Sequence, residues 1–222
     1  MRYVGLFLLF LFPGLVPGVA TAQSSCVCIK CMKLTHEMFR LPSESMSPTY
    51  EAGDCPIARL VRPGEYQPDY GDVIVRRKPG DRTARIFRIV GLPGDTVQMI
   101  GGILHLNGTP VPRGERPALP REMAADPRTG ALPRCPDATP LGATCLIPRW
   151  RETLPNDVSY DTLDSGESML DDTELFTVPE DHVFGLGDNR DNAIDSRLSG
   201  FVSAPGFIGL ETIFGVFDPD DG

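Results

Sequence analysis

The chain has 222 residues, enough for one sizeable domain and hardly two, and its 41% hydrophobic and 23% charged content is ordinary for a globular protein. Its formal charge of −9 argues against a nucleic-acid partner, which demands basic patches. Charge of this size bears on solubility and partners and leaves the fold open.

Residues 1–22 read as a separate element. Arg2 is a minimal positive region, Val4 to Val19 is apolar, and Ala20-Thr21-Ala22 places small residues where secretory cleavage sites carry them. The alternative is an uncleaved membrane anchor, since the uncharged run from Tyr3 to Ser25 is long enough to span a bilayer. Pro13 and Pro17 weaken that run as a helix, so cleavage before Gln23 is the expectation, leaving residues 23–222 as the mature domain. Either way the rest lies outside the cytoplasm, in the periplasm or on the outer face of the inner membrane.

Six cysteines agree with export, because an even count in an exported chain suggests disulfides. Cys135 and Cys145 close a short loop and are the expected pair. Cys26, Cys28 and Cys31, with Cys55 as a fourth ligand, have zinc-like spacing, but an oxidising compartment favours disulfides, so no metal is expected.

Strand signals then dominate. Ile57 to Val61, Asp72 to Arg77 and Arg85 to Val90 are short apolar-rich runs. Thr96 to Ile100 and Ile103 to Leu106 flank Gly101-Gly102, a hairpin turn, and Asn107-Gly108 signals another. Leu175 to Val178, His182 to Leu186 and Leu210 to Phe217 follow. Between Pro110 and Pro155 fall ten of the 22 prolines, which predicts an irregular insertion, continued by an acidic surface excursion to about residue 172. Short strands separated by turns predict an all-β fold, a sandwich or barrel.

Chemistry concentrates at Pro42-Ser43-Glu44-Ser45-Met46-Ser47-Pro48-Thr49. The two prolines stiffen the segment. In an extended chain Ser43 and Ser45 project to one side, so one hydroxyl can attack while the other donates to a developing oxyanion. A serine hydroxyl needs a partner that takes its proton.

Ser43-x-Ser45-Met46-x-Pro48-Thr49, Gly71-Asp72-Val73-Ile74-Val75, Arg88-Ile89-Val90-Gly91-Leu92-Pro93-Gly94-Asp95 and Gly187-Asp188-Asn189-Arg190-Asp191-Asn192-x-x-Asp195-Ser196-Arg197 resemble the successive signature boxes of bacterial type I signal peptidases, in the right order. The resemblance covers roughly residues 38–108 and 175–217. It implies antiparallel β-sheets forming a partly open barrel, no cofactor, and a membrane-surface serine endopeptidase with a Ser–Lys dyad. Its substrates would be exported proteins, bound extended and cut after small residues at the −1 and −3 positions. Ser45 would be the nucleophile and Ser43 an oxyanion donor. Met38-Phe39-Arg40-Leu41 would be an exposed strand that pairs with substrate.

The resemblance breaks at the proton-handling group. The family's lysine base should immediately precede Arg88, and Phe87 stands there; the serine that orients that lysine is replaced by Ala193. The lysines are Lys30, Lys33 and Lys78, the histidines His36, His105 and His182, and none falls at the base position; Lys78 and His36 are the substitutes to weigh. Arginine holds its proton too tightly to serve. Glu44 flanks the nucleophile but should point away from it. Three readings follow: a peptidase with another base, an exported relative that binds peptides without cutting, or a β domain kept as scaffold. The charged residues of the last box, with Arg88, are expected to pair and fix that loop.

Overall fold

The computed structural model describes residues 26–77, 80, 83–126, 130–198 and 206–218. Residues 1–22 and Lys78 lie outside them. The strands, in chain order, are β1 (His36–Met38), β2 (Ile57–Leu60), β3 (Val73–Arg76), β4 (Arg85–Gly91), β5 (Thr96–Ile100), β6 (Ile103–Leu106), β7 (Thr109–Pro110), β8 (Arg113–Glu122), β9 (Thr144–Thr153), β10 (Ser159–Leu163), β11 (Phe176–Thr177), β12 (His182–Leu186), β13 (Ile208–Gly209) and β14 (Ile213–Phe217). No helix among the described residues is long and apolar enough to cross a membrane.

Seven strands form the main antiparallel sheet, in the order β1-β2-β14-β3-β4-β12-β13, curled as a partly open barrel. Its central strands β3 and β4 are covered on both faces and mostly apolar: Val73 to Arg76 is buried throughout, as is Phe87 to Gly91, with Arg76 and Arg88 the buried charges. On one side Phe39, Leu41, Met46, Val73, Val75 and Phe217 pack together beneath the serine segment. On another, Phe87 joins Ile74, Ile89, Val183, Ile208, Ile213 and Val216.

A four-stranded sheet, β11-β5-β6-β7, packs against the first. Its two hairpins turn as the sequence reads. Gly101 and Gly102 have φ of 54° and 72°, and Asn107 and Gly108 have 51° and 75°. Two successive positive values make the tight turn whose twist matches paired strands, and glycine and asparagine reach it at least cost.

The Pro-rich stretch departs from expectation. It contains two ten-residue strands, β8 and β9, which pair with β10 in a third antiparallel sheet, β10-β9-β8. The prolines obscure this in the sequence, yet each sits where a strand tolerates one. Pro117 and Pro120 are on β8, an edge strand, and the register slips between Arg116 and Leu119, opposite Pro148. Cys135–Cys145 staples this sheet to its preceding loop, as expected. Cys26 pairs with Cys55 and Cys28 with Cys31. A smaller correction concerns Leu210 to Phe217, whose first three residues form a 3-10 turn before β14 begins.

The sheets are joined through buried charge. Arg88 on β4 donates from Nε to Asp188 Oδ1 at 2.8 Å and from Nη2 to Oδ2 at 2.7 Å, while Nη1 reaches the Gly71 carbonyl at 2.8 Å. Its guanidinium lies 4.2 Å from the centre of the Tyr160 ring on β10. Burial works against the charge on Arg88, but Asp188 outweighs it and leaves the guanidinium more basic than usual. Arg190 pairs with Glu152 of β9 at 2.6 Å, and Arg197 with Asp195 at 2.8 Å, all buried. Removing one partner of such a pair strands the other in low dielectric, at a cost of about 3–5 kcal/mol, whereas replacing both by apolar groups is close to neutral. Urea unfolding should therefore show Asp188→Ala strongly destabilised and the double change Arg88→Met with Asp188→Leu recovering most of the loss.

Candidate active site

The serine segment is a turn and not an extended strand. The Ser47 N–H donates to the Glu44 carbonyl and the Tyr50 N–H to the Met46 carbonyl, both at 3.0 Å. Ser43 and Ser45 still meet: Ser43 Oγ donates to Ser45 Oγ at 3.3 Å. Met46, 1% exposed, is driven into the core beneath, a burial that contributes roughly 1.5–3 kcal/mol and fixes its neighbour Ser45 at the surface.

Three other contacts hold the turn. The Asn189 N–H donates to the Ser45 carbonyl at 3.1 Å. Thr49 Oγ1 donates to Asp188 Oδ2 at 2.5 Å and accepts from Arg88 Nη2 at 3.1 Å, so the buried pair also pins the end of the turn. Arg121, from the end of β8, donates to Ser47 Oγ at 3.1 Å and to Glu51 Oε2 at 2.8 Å. The third sheet thus clamps the serine turn, a contact without a local sequence signal because it joins segments far apart in the chain.

A cleft of about 370 Å3 opens beside Ser45. One wall is Leu41 to Ser43, Ser45 and Met46; the other is Thr83 to Phe87 leading into and along β4; Ala193, Ile194 and Gly187 close it. The pairing of β12 with β4 ends at Arg88, so the Arg85–Phe87 part of that edge borders the cleft. Of this second wall the sequence marks Phe87, at the base position, and carries no signal for Thr83 to Ile86 as cleft lining. Of the predicted substrate strand, Leu41 lines the cleft. Phe39 is buried instead of exposed, its ring against Phe214 and Phe217, while Met38 closes β1 half-buried and Arg40 is exposed. The alternation of Phe39, Arg40 and Leu41 follows from extended backbone beyond β1, where the Phe39 and Leu41 N–H groups donate to the Pro56 and Asp54 carbonyls and successive side chains face opposite ways.

Phe87 and Ala193 both line this cleft, 3% and 8% exposed. Phe87 also belongs to the core group of β3 and β14, packed against Gly185, where an added Cβ would lie 2.8 Å from its own. Gly187 has the same close-packing role nearer the serine: a Cβ there would stand 2.3 Å from Ala193 Cβ and 2.6 Å from the Ser45 carbonyl oxygen.

Among the described residues lining the cleft the ionisable side chain is Arg85, which cannot act as a base. The three histidines lie elsewhere, each with Nδ1 in a local contact: His36 with Thr35 Oγ1, His105 with the Ile103 carbonyl and His182 with the Glu180 carbonyl. Glu44 faces a separate groove with Arg121, 3.7 Å away. Burial raises the Glu44 pKa above its usual value, Arg121 opposes, and Glu51 and Asp126 add to the rise.

The sequence profile of the signal peptidase family, peptidase S26, matches residues 18–215. The chain belongs to this family. Curated signal peptidases I from Rickettsia conorii and Rickettsia typhi are each 33% identical to it, over 151 and 152 residues. These alignments cover 64% of this chain and 49% and 50% of the two relatives, so the chain spans about half the length of the curated relatives it matches. A solved signal peptidase I from Enterococcus faecalis V583 aligns over 69% of this chain and 98% of its own, with 22% identity and a TM-score of 0.35. In this member of the signal peptidase family the signature serine turn is in place, and the neighbouring strand carries a buried phenylalanine.

Two outcomes follow from the geometry. Gly187→Ala should cost about 1–3 kcal/mol by overpacking and displace the serine turn, visible as a lower thermal midpoint and altered amide shifts at Ser45. A raised Glu44 pKa favours folding most when Glu44 is protonated, below its ordinary value, and that advantage is lost as pH rises through the elevated folded value. Glu44→Gln should therefore give a small upward shift in thermal midpoint at pH 7 and little change at pH 3.

Proposed function

We propose that this domain binds the extended cleavage-site region of exported polypeptides in the cleft beside Ser45 and does not cut it. Small residues at the −1 and −3 positions would enter the apolar cleft, and the peptide backbone would pair with the open edge of β4 and the segment ending at Leu41. Ser45 and Ser43 would meet the scissile carbonyl, where a working peptidase has its nucleophile and oxyanion donor. The place of action is the extracytoplasmic face of the membrane, a reading supported by family membership and by three disulfides.

The observation that carries the reading is the packing of Phe87. A general base on that strand must present a neutral amine next to Ser45 Oγ and hold it there through a hydroxyl partner. Here a buried ring and the methyl of Ala193 occupy the corresponding wall. Ser45 keeps a hydroxyl neighbour in Ser43, but two hydroxyls at 3.3 Å offer no proton acceptor of adequate basicity. Loss of a general base alone lowers rates on the order of 10²–10⁴-fold, and more where it works as a unit with the nucleophile. The apolar exchange is also self-consistent, because a ring beside a methyl leaves no polar group unpaired.

The full chain in detergent micelles, offered a fluorescent peptide with an Ala-x-Ala site, should bind it and return it uncut. Bulky residues at −1 or −3 should abolish binding. Phe87→Lys combined with Ala193→Ser should introduce cleavage, and adding Ser45→Ala should remove it. Cleavage by the wild-type chain that disappears in Ser45→Ala would overturn the reading in favour of a peptidase with a different base.

A further inference from the structure

The Cys26–Leu34 segment stands apart from the cleft and has its own chemistry. Cys26–Cys55 joins residues 29 apart and Cys135–Cys145 joins residues 10 apart, so each ties one stretch of backbone to another. Cys28–Cys31 spans three positions and lies at the start of a single 3-10 turn, Lys30–Lys33. The constraint a disulfide places on the unfolded chain grows with the loop it closes. This bond therefore does least to hold the fold, and Cys26–Cys55 already anchors the segment.

Its surroundings suit exchange instead. Cys28 and Cys31 are both partly exposed, whereas Cys145 is buried. The Cys31 N–H donates to Cys28 Sγ at 3.0 Å, an arrangement that favours negative charge on that sulfur. Two residues between cysteines is a spacing at which thiolates can be stabilised for exchange. Val27, Ile29, Met32 and Leu34 stand 74%, 78%, 83% and 86% exposed around the pair, a density of bare apolar side chains that a soluble surface rarely carries. Lys30 and Lys33 lie among them in the same turn.

We propose that Cys28–Cys31 is a thiol–disulfide exchange site for cysteine-bearing unfolded polypeptides, whose apolar side chains rest on Val27, Ile29, Met32 and Leu34. In the oxidised chain a target thiolate attacks Cys28 Sγ; the Cys28–Cys31 bond breaks, and Cys31 leaves as a thiolate. The target's second thiolate then attacks its own sulfur in the mixed disulfide. The target disulfide forms, and Cys28 leaves as a thiolate held by the Cys31 N–H. Two electrons pass from the target dithiol to the Cys28–Cys31 pair, and the two target protons end on the two thiols of this chain or in water. The reverse sequence, with Cys28 as attacking thiolate, reduces a target disulfide.

The test uses the full chain in graded mixtures of reduced and oxidised glutathione, with thiols alkylated and mapped by mass spectrometry. The Cys28–Cys31 bond should open in mixtures that leave the other two bonds intact. The oxidised chain should convert a reduced two-cysteine peptide carrying apolar residues to its disulfide, one peptide per chain. Cys31→Ser should accumulate a mixed disulfide at Cys28 when given the oxidised peptide. The double change Cys28→Ser with Cys31→Ser should keep its β circular dichroism and transfer nothing. The proposal is overturned if this bond resists glutathione as the other two do, if it opens without any peptide disulfide appearing, or if the double change unfolds the chain and so makes the bond structural.

Discussion

The Arg88–Asp188 pair is the joint on which the site depends. One guanidinium touches four separate parts of the chain: the Gly187–Asn189 loop through Asp188, the serine turn through Thr49, the β2–β3 connection through the Gly71 carbonyl, and the third sheet through the Tyr160 ring. Buried ion pairs add little net stability compared with apolar packing, but they are intolerant of misplacement, since a displaced partner leaves a desolvated charge. That intolerance is useful where a turn must sit at a fixed distance from a strand. Met46 presses the turn into the core, and Thr49 and Asn189 fix its orientation.

These contacts fix the Ser45 turn against the core, which makes the wall opposite informative. The strand that carries Arg88 toward one face carries Phe87 toward the other, so precise placement of the polar joint places the ring as well. A lysine there would exchange well-packed apolar area for an amine whose head needs a partner, and Ala193 supplies none. Phe87 and Ala193 are thus a matched apolar pair within an otherwise polar signature. The cleft beside Ser45 stays open along Arg85–Phe87, while a proton acceptor is absent from its lining among the described residues.

Much of this was legible in the sequence, for local physical reasons. Gly101-Gly102 and Asn107-Gly108 announce hairpins because few residues reach positive φ cheaply. The buried core strands read as apolar runs, and the serine motif and the exchange at Phe87 are visible as letters. What the sequence does not show is non-local. Strands β8 and β9 were hidden by prolines whose tolerance depends on edge position and a register slip, neither of which exists until the strands pair. The Arg121 clamp and the Thr83–Ile86 wall have no local signature, and the outward or inward facing of Met38 to Leu41 depends on which face of the sheet the core covers.

On the proposed function Ser45 is positioned but not activated. The most direct measurement is intact-mass analysis of the full chain after exposure to a serine-directed fluorophosphonate, with the modified residue mapped by fragmentation. The account predicts no mass gain at Ser45 in the wild-type chain and labelling at Ser45 once Phe87→Lys and Ala193→Ser are introduced together. Stoichiometric labelling of Ser45 in the wild-type chain would contradict it.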